Sequence, residues 1–299
     1  ICHCLVGSEM CIRDRGRASG RVCTPHLTGD TLTVPISGGS IDAYVAKTTS
    51  TVAFIVQSGR TLSSTVLNNL ASSWDSTIYP TMTTYYGKDY GDGRGLAAPD
   101  IDNNCQVQII IYDIDGAFNT GGYFAPSFAS VRESVFIDFA DITLNWGKSI
   151  IAHELQHLLH NAQDPYENLW IDEGNADVAI YLCFGPDSTL VSHLNQWTET
   201  PELSIRWWNQ RFADYGAGFI FTMYLADHLG GGPAVRQLVQ DSATGGVSVQ
   251  NLALSPPSGS SGAIGRTMGE IFANFSVAAF LDSEQGIYGF SNLDLTPVC

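Results

Sequence analysis

The sequence has few basic residues and no long apolar run. Its 299 residues include 14 Lys and Arg, only three of them lysine, against 30 Asp and Glu, which gives a formal net charge of −16. A chain this acidic repels nucleic acids and anionic membranes, so we expect neither as a partner. No apolar stretch approaches the roughly 18 residues that cross a bilayer, and we therefore predict no membrane insertion.

Cysteine residues are also few, and none has the C-x-x-C spacing of a cysteine zinc site. Three of the seven lie among the first 15 residues. The other four allow three complete pairings, among which the sequence does not choose; they are Cys23, Cys105, Cys183 and Cys299. We expect one or two disulfides in an exported protein, with four free thiols as the alternative.

The N-terminal segment does not have the pattern of native protein. Residues 5–15, LVGSEMCIRDR, resemble one reading frame of a common sequencing-library adapter. A signal peptide would continue with an apolar run of about seven or more residues, and none follows. We therefore leave residues 1–15 out of the fold prediction and expect the native N-terminus, with any signal peptide or propeptide, to be missing.

The segment IIAHELQHLLH, residues 150–160, contains the pattern H-E-x-x-H at His153, Glu154 and His157. Its apolar residues predict a helix over residues 150–162. Residues four apart share one face of a helix, so both histidines can bind one ion. The pattern is typical of zinc enzymes in which the glutamate is the general base, and the alternative is a solvated helix face.

A catalytic zinc needs a third protein ligand and an open position for water. The segment NLWIDEGNADVAIYL, residues 168–182, predicts a second helix that carries Glu173 and, four residues on, Asp177. We expect Glu173 to bind zinc and Asp177 to accept the other ring N–H of a ligating histidine. The rivals for the third position are His160, about 10 Å along the helix from the first histidine, and the shorter Asp172.

These two segments resemble the gluzincin pattern of zinc metallopeptidases. More closely, the chain is similar to the hyicolysin family of secreted bacterial metallopeptidases over about residues 51–295. The similar stretches are VLNNLASSWDSTIYPTMTTYYG, DIDNNCQVQIIIYDI, GGYFAP, DYGAGFIFTMYLADHLGG, GEIFANFSVAAFLD and IYGF. The resemblance implies a secreted zinc endopeptidase that acts on proteins or peptides. One departure is Asp172, where asparagine is expected, and its extra negative charge near the metal has no explanation in the sequence.

The resemblance also implies an α+β fold with two lobes, similar to thermolysin. A strand-rich lobe over residues 16–146 would pack on the zinc helix and a helical lobe over residues 147–299, forming one monomeric catalytic unit. A tyrosine at the start of the Y-G-x-G helix is matched by Tyr215, whose phenol would donate to the oxyanion of peptide hydrolysis. Tyr224 and His228 are the alternatives for this role.

Hydrophobic patterns predict the other elements. We expect strands at residues 31–36, 41–46, 51–57, 107–113 and 134–140, and helices at 63–79, 215–229, 235–239 and 268–281. Residues 195–208 are predicted as a loop over the cleft, 245–262 as a mobile loop and GGYFAP, residues 121–126, as a turn. The resemblance to zinc peptidases implies that a strand beside the metal helix presents its backbone edge to an extended peptide, and the candidates are the GGYF segment and the strand at 134–140.

A calcium site is a weaker hypothesis. Asp100, Asp102 and Asn104 alternate as calcium ligands do, but Cys105 and Ile111 stand where an EF-hand loop has glycine and glutamate. The alternative is a turn that leads into a strand.

Two other functions remain open at this stage. A non-catalytic binding or adhesion module, with zinc as a structural ion, would have lost Glu154 or gained a fourth protein ligand, and neither change is evident. An exopeptidase would need a charged anchor for a peptide terminus, and no motif indicates one.

Overall fold

The computed structural model describes residues 23–87, 100–258, 263–293 and 295. The adapter-like residues 1–15, the Gly- and Asp-rich residues 88–99 and Cys299 lie outside these ranges, and so do the expectations for them. Within the described ranges the fold is α+β, as predicted. Strands dominate the N-terminal half and helices the C-terminal half.

Six strands form one mixed sheet in the order β1-β2-β3-β4-β6-β5. They are β1 (Thr31–Ile36), β2 (Gly39–Thr48), β3 (Val52–Gln57), β4 (Val107–Tyr112), β5 (Gly122–Phe124) and β6 (Ser134–Asp138). The central strands β3, β4 and β6 run parallel, whereas β1, β2 and β5 pair antiparallel with their neighbours. The predicted strands are confirmed, but the predicted turn GGYFAP contains β5, which is too short to have a detectable period.

The central strands are buried on both faces. In β6 all five residues are buried. Val135 and Ile137 pack toward the helices, and Phe136 packs into a second cluster on the opposite face. Apolar residues on both faces are expected for parallel strands covered on each side.

Nine α-helices complete the described structure. They are α1 (Ser64–Ser73), α2 (Tyr79–Tyr85), α3 (Gly147–Asn161), α4 (Leu169–Phe184), α5 (Ser188–Thr198), α6 (Phe212–Leu229), α7 (Gly232–Gln240), α8 (Gly246–Leu254) and α9 (Met268–Leu281). A π-helical turn, Trp74–Ile78, joins α1 to α2. The helical segment therefore extends beyond the predicted residues 63–79, to the end of α2. Pro80 does not end it, because this proline lies in the first turn of α2, where the missing N–H costs little.

Two predicted loops are partly wrong. Residues 195–198 belong to α5, whose N-terminus is capped by the Asp187 carboxylate. Residues 246–254 form α8 rather than a mobile loop, because Val249 and Leu252 are buried on one helix face. The glycines before α8 and the SPPSGSSG segment after it concealed that short apolar pattern.

Helix α3 packs against β5 and β6 on one side and against α4 on the other. Its apolar side, which includes Ile151, Leu155 and Leu159, belongs to a core shared with β3, β4, β6 and parts of α4 and α6. A third cluster of buried apolar residues, which includes Trp170 and Phe221, lies within the helical half. This architecture is compatible with a two-lobed zincin fold, whereas the proposed lobe boundary at residue 146 stays a prediction.

Two cysteines in the described part of the chain form a disulfide. Cys23 is disulfide-bonded to Cys105, and Cys183 is in no disulfide there. Among the described helices, none is both long and apolar enough to cross a membrane.

A candidate metal centre at the α3–α4 crossing

Three predicted ligands converge where α3 packs against α4. The Oε2 atom of Glu173 lies 3.1 Å from Nε2 of His153 and 3.4 Å from Nε2 of His157. Zinc bonds of about 2.0–2.1 Å at tetrahedral angles place ligand atoms about 3.3 Å apart. The two imidazoles and the carboxylate therefore fit a zinc ion, and in the described structure these residues form a group that could hold a metal.

A second layer of carboxylates holds the histidine rings. Asp177 Oδ1 lies 3.1 Å from Nδ1 of His153, as expected, and Asp172 Oδ2 lies 2.9 Å from Nδ1 of His157. Each Nδ1 thus donates its proton to a carboxylate, which leaves the Nε2 lone pair free for an ion. The extra charge of Asp172 now has a structural explanation, because it orients His157 rather than competing with Glu173.

His160, the rival for the third ligand position, does not lie among the candidate ligands. It is buried, and its Nδ1 lies 2.7 Å from the other oxygen of Asp172. The ring is therefore separated from the candidate centre by the Asp172 carboxylate. Its predicted distance along the helix explains why it does not join His153 and His157.

The ionisable groups of the centre stabilise one another's charged forms. Burial alone would lower the pKa of His153, but hydrogen bonds to Asp177 and Glu173 raise it to about 10. Burial conversely disfavours the charged carboxylates, yet the histidines hold the pKa values of Glu173 and Asp177 below their usual range. An incoming dication therefore competes with protons for the histidine nitrogens.

Glu154 lies beside this centre, on the strand side of the cleft. Its side chain is buried, and the nearby backbone N–H of Phe124 in β5 favours the charged form of the carboxyl group. Burial raises the pKa of Glu154 despite the nearby histidines. A carboxyl group whose pKa is raised toward neutrality can both accept and return a proton.

The centre opens into a cleft of about 820 Å³, within the usual range for ligand sites. Its lining includes β5 on one side and residues of α3, α4 and α5 on the other. His153, Glu154, His157 and Glu173 are among the lining residues. The candidate ligands and the candidate base are therefore accessible from one cavity.

Tyr215, at the start of α6, also lines the cleft. Its ring centroid lies 6.0 Å from that of His153, and Trp208 packs against it at 4.8 Å. Burial, with the nearby charges of Glu173 and Glu154, raises the pKa of the Tyr215 hydroxyl. The phenol therefore keeps its proton and can act as a hydrogen-bond donor.

The alternatives to Tyr215 lie elsewhere. The hydroxyl of Tyr224 donates to the carbonyl of Ile287 at 2.9 Å, and Nε2 of His228 lies 3.0 Å from the carbonyl of Gly289. Both side chains are buried and tie α6 to the segment after α9. Their contacts are structural, and neither lines the cleft.

His193 is a site residue that sequence reasoning missed. Its Nδ1 lies 2.7 Å from Oδ2 of Asp177, and its ring stacks on Tyr215 with centroids 4.9 Å apart. Asp177 therefore connects two histidines, one of them a candidate ligand. No motif marks His193, since only the packing of α5 against α6 brings it to the cleft.

Glycines allow the helices of the site to approach closely. A Cβ on Gly174 of α4 would lie 2.5 Å from the carbonyl oxygen of Gly218 in α6. A Cβ on Gly216 would clash with the backbone carbonyl of His193 in α5. These backbone contacts place Tyr215, which precedes Gly216, between the two histidines that Asp177 connects.

The hypothetical calcium ligands are arranged differently from the prediction. Carboxylate oxygens of Asp100, Asp102 and Glu133 lie within 4.8 Å of one another. Asn104 instead donates its side-chain N–H to Asp102 at 2.8 Å and accepts from the backbone of Gln106 at 2.7 Å. Calcium binding here stays a prediction, with Glu133 in the place expected for Asn104.

Comparison with known proteins finds a similarity to a metalloprotease. The chain is 23% identical over 258 residues to the neutral metalloprotease ShpI of Staphylococcus hyicus. The match covers 75% of this chain and 55% of that protein, so the chain spans about half the length of this relative. No family model matches the chain. The similarity supports a relationship to metalloproteases.

Proposed function

We propose that this chain is a zinc-dependent endopeptidase with His153, His157 and Glu173 as the metal ligands. The observation that carries this proposal is the convergence of three ligand atoms beside Glu154, in a cleft that is open to a substrate. The similarity to a neutral metalloprotease agrees with it.

Zinc in this position would act as a Lewis acid, lowering the pKa of water and polarising the scissile carbonyl. Glu154 accepts the proton of the attacking water and returns it to the leaving amine. Its buried position and raised pKa suit both transfers. Asp177 and Asp172 keep the ligating histidines in the tautomer that presents Nε2.

Tyr215 supplies a hydrogen bond to the oxyanion that forms as the carbonyl is attacked. Its protonated phenol and its place in the lining of the cleft support this role. His193 positions the Tyr215 ring through stacking and is itself held by Asp177.

The substrate proposed is an extended segment of a protein or peptide. Strand β5 is at the edge of the sheet and pairs with β6 on one side only. Strand β5 and Glu154 line the same cleft, so the unpaired edge of β5 lies near the proposed base. Pairing of a peptide with that edge binds its backbone without demanding a sequence, which suits an endopeptidase.

We further propose that the protein is a secreted, monomeric member of the hyicolysin family. The motif resemblance and the Cys23–Cys105 disulfide support export to an oxidising compartment. A non-catalytic adhesion module is the weaker hypothesis, because Glu154 is present and the group of potential ligands found among the described residues has three members, which leaves room for water on an ion.

The experiment is cleavage of an unfolded protein by wild type and Glu154→Gln, with the zinc content of both determined. We expect zinc in both proteins and chelator-sensitive cleavage by the wild type alone. Glu202→Gln, which changes an exposed glutamate outside the cleft, is the matched control and should cleave as the wild type does.

Full activity of Glu154→Gln would refute the assignment of the base. Zinc in both proteins with cleavage by neither would favour the adhesion module with a structural ion. Glu173→Ala should lose the ion, and unchanged zinc content in that variant would exclude Glu173 as the third ligand.

A further inference from the structure

A second cluster of potential ligands lies behind the candidate metal centre. It comprises His160 in the last turn of α3, with Asp164 and Glu167 in the connection from α3 to α4. A ring nitrogen of His160 and one carboxylate oxygen from each acid lie within 4.8 Å of one another. His160 is 1% exposed and Asp164 5% exposed, and Glu167 is partly buried, so the cluster is not a solvated acidic patch.

Two polar atoms of this cluster have no hydrogen-bond partner among the described residues. They are Nε2 of His160 and Oδ2 of Asp164. A buried polar atom without a partner costs about 1–3 kcal/mol, so such atoms normally indicate a ligand, an ion or a water molecule. Both atoms belong to residues whose ligand atoms converge.

The tautomer of His160 is the one that a metal requires. Its Nδ1 lies 2.7 Å from Asp172 Oδ1, so this nitrogen carries the proton that the carboxylate accepts. A neutral ring in this state has its lone pair on Nε2, the atom without a partner. The arrangement repeats that of His157, which Asp172 orients through its other oxygen.

The charges of the cluster also favour a dication. Asp164 is buried and Glu167 is partly buried, so two negative charges would lie close together with little water around them if both were ionised. Burial raises the pKa of Glu167, which reflects the cost of that arrangement. One divalent ion would balance both carboxylates while His160 remains neutral.

We infer that His160, Asp164 and Glu167 bind a second divalent transition-metal ion such as zinc. A donor set of one imidazole and two carboxylates suits such an ion better than calcium, which takes oxygen ligands only. Glu167 also accepts hydrogen bonds from the Gly245 backbone and the Ser248 hydroxyl, at 2.6 and 3.0 Å. The ion would thus fix the α3–α4 connection to the start of α8, and Asp172 would join the two metal sites.

The test is a zinc count on the full chain after removal of metal, reloading and desalting. We expect two zinc ions in the wild type, one in Asp164→Asn, one in Glu173→Gln and none in the double variant. Asp241→Asn is the matched control, because this aspartate lies near α8 but outside the cluster, and it should keep two ions.

Retained secondary structure, measured by circular dichroism, must accompany each count. If Asp164→Asn does not fold, Glu167→Gln replaces it, and one zinc remaining in Glu173→Gln already requires a second site. One ion in the wild type and none in Glu173→Gln would overturn the inference, as would two ions in Asp164→Asn. Calcium in place of zinc at the second site would overturn the assigned class of ion.

This test is independent of the proposed peptidase activity. Two zinc ions in a protein that cleaves no substrate would refute the proposed function and retain the second site. A single zinc ion in a protein that cleaves peptides would support the proposed function and refute the second site.

Discussion

Replacement of Asp177 by asparagine should weaken zinc binding because one carboxylate holds two histidines. Asp177 is fully buried, and its oxygens lie 3.1 Å from Nδ1 of His153 and 2.7 Å from Nδ1 of His193. A carboxylate accepts from both rings, whereas an amide has one acceptor atom and one donor group. The ring that faces the amide NH₂ must present an unprotonated Nδ1, so its proton moves to Nε2.

The size of the effect follows from which ring loses its acceptor. If the NH₂ faces His153, the protonated Nε2 cannot bind zinc until the ring changes tautomer. If it faces His193, His153 keeps its lone pair but exchanges a charge-assisted hydrogen bond, worth about 1.5–3 kcal/mol, for a neutral one worth about 1 kcal/mol. We expect a loss in zinc affinity of about 10- to 100-fold, which equals about 1.4–2.7 kcal/mol.

The assay is a competition titration of metal-free protein against a chromophoric zinc chelator at fixed pH. An Asp164→Asn background removes the second cluster from the titration. Asp214→Asn is the control, since Asp214 is a buried aspartate of α6 that pairs with Arg211, at 2.7 Å, and contacts no histidine of the site. Wild-type affinity in Asp177→Asn would refute the conclusion that this carboxylate orients His153.

Three further predictions concern the helix crossing, the oxyanion and the buried acid near the disulfide. Gly174→Ala should overpack the helix crossing and lower the free energy of unfolding, measured in urea, by about 1–3 kcal/mol. The control is Gly269→Ala, which places a Cβ in a helix with room for it and should not destabilise the protein. Equal effects of the two substitutions would contradict the close crossing. Tyr215→Phe should lower kcat by about 10²-fold with unchanged zinc content, and an unchanged kcat would exclude the oxyanion role. Burial and the Asp102 and Asp100 charges raise the pKa of Glu133 from 4.5 to about 8. The contribution of Glu133 to stability is therefore fully present below pH 4.5 and is lost as the pH rises toward 8. The urea midpoint of the wild type should fall over this pH range, and Glu133→Gln should make that fall smaller. An unchanged dependence of the midpoint on pH in the variant would contradict this prediction.

Much of the fold was predictable because the long elements have strong local signals. The apolar face of α3, the long apolar run of α6 and the β-branched run of β4 identify these elements without tertiary information. Short elements carry no such signal in the sequence. Strand β5 has three residues, and α8 has nine and begins at the second residue of a Gly-Gly pair, so only pairing with β6 and packing of Val249 define them.

The candidate site was predictable only where chemistry follows sequence spacing. H-E-x-x-H puts His153 and His157 one helical turn apart, so their convergence depends on local geometry alone. His193 reaches Asp177 across 16 residues and a helix crossing, and nothing in its own segment marks it. The role of Asp172 was hidden for the same reason, since its partners lie on a different helix.

The glycine crossings of α4 and α5 with α6 have a consequence for motion. Backbone in direct contact with backbone leaves no layer of side chains to shear, so these three helices should move as one stiff body. Glu173, His193 and Tyr215 move with it. Widening of the cleft to admit a substrate then belongs to the opposite wall, where β5 is attached to the sheet along β6 alone. Amides of β5 should exchange with deuterium quickly, and those in the middle of α6 only on global unfolding.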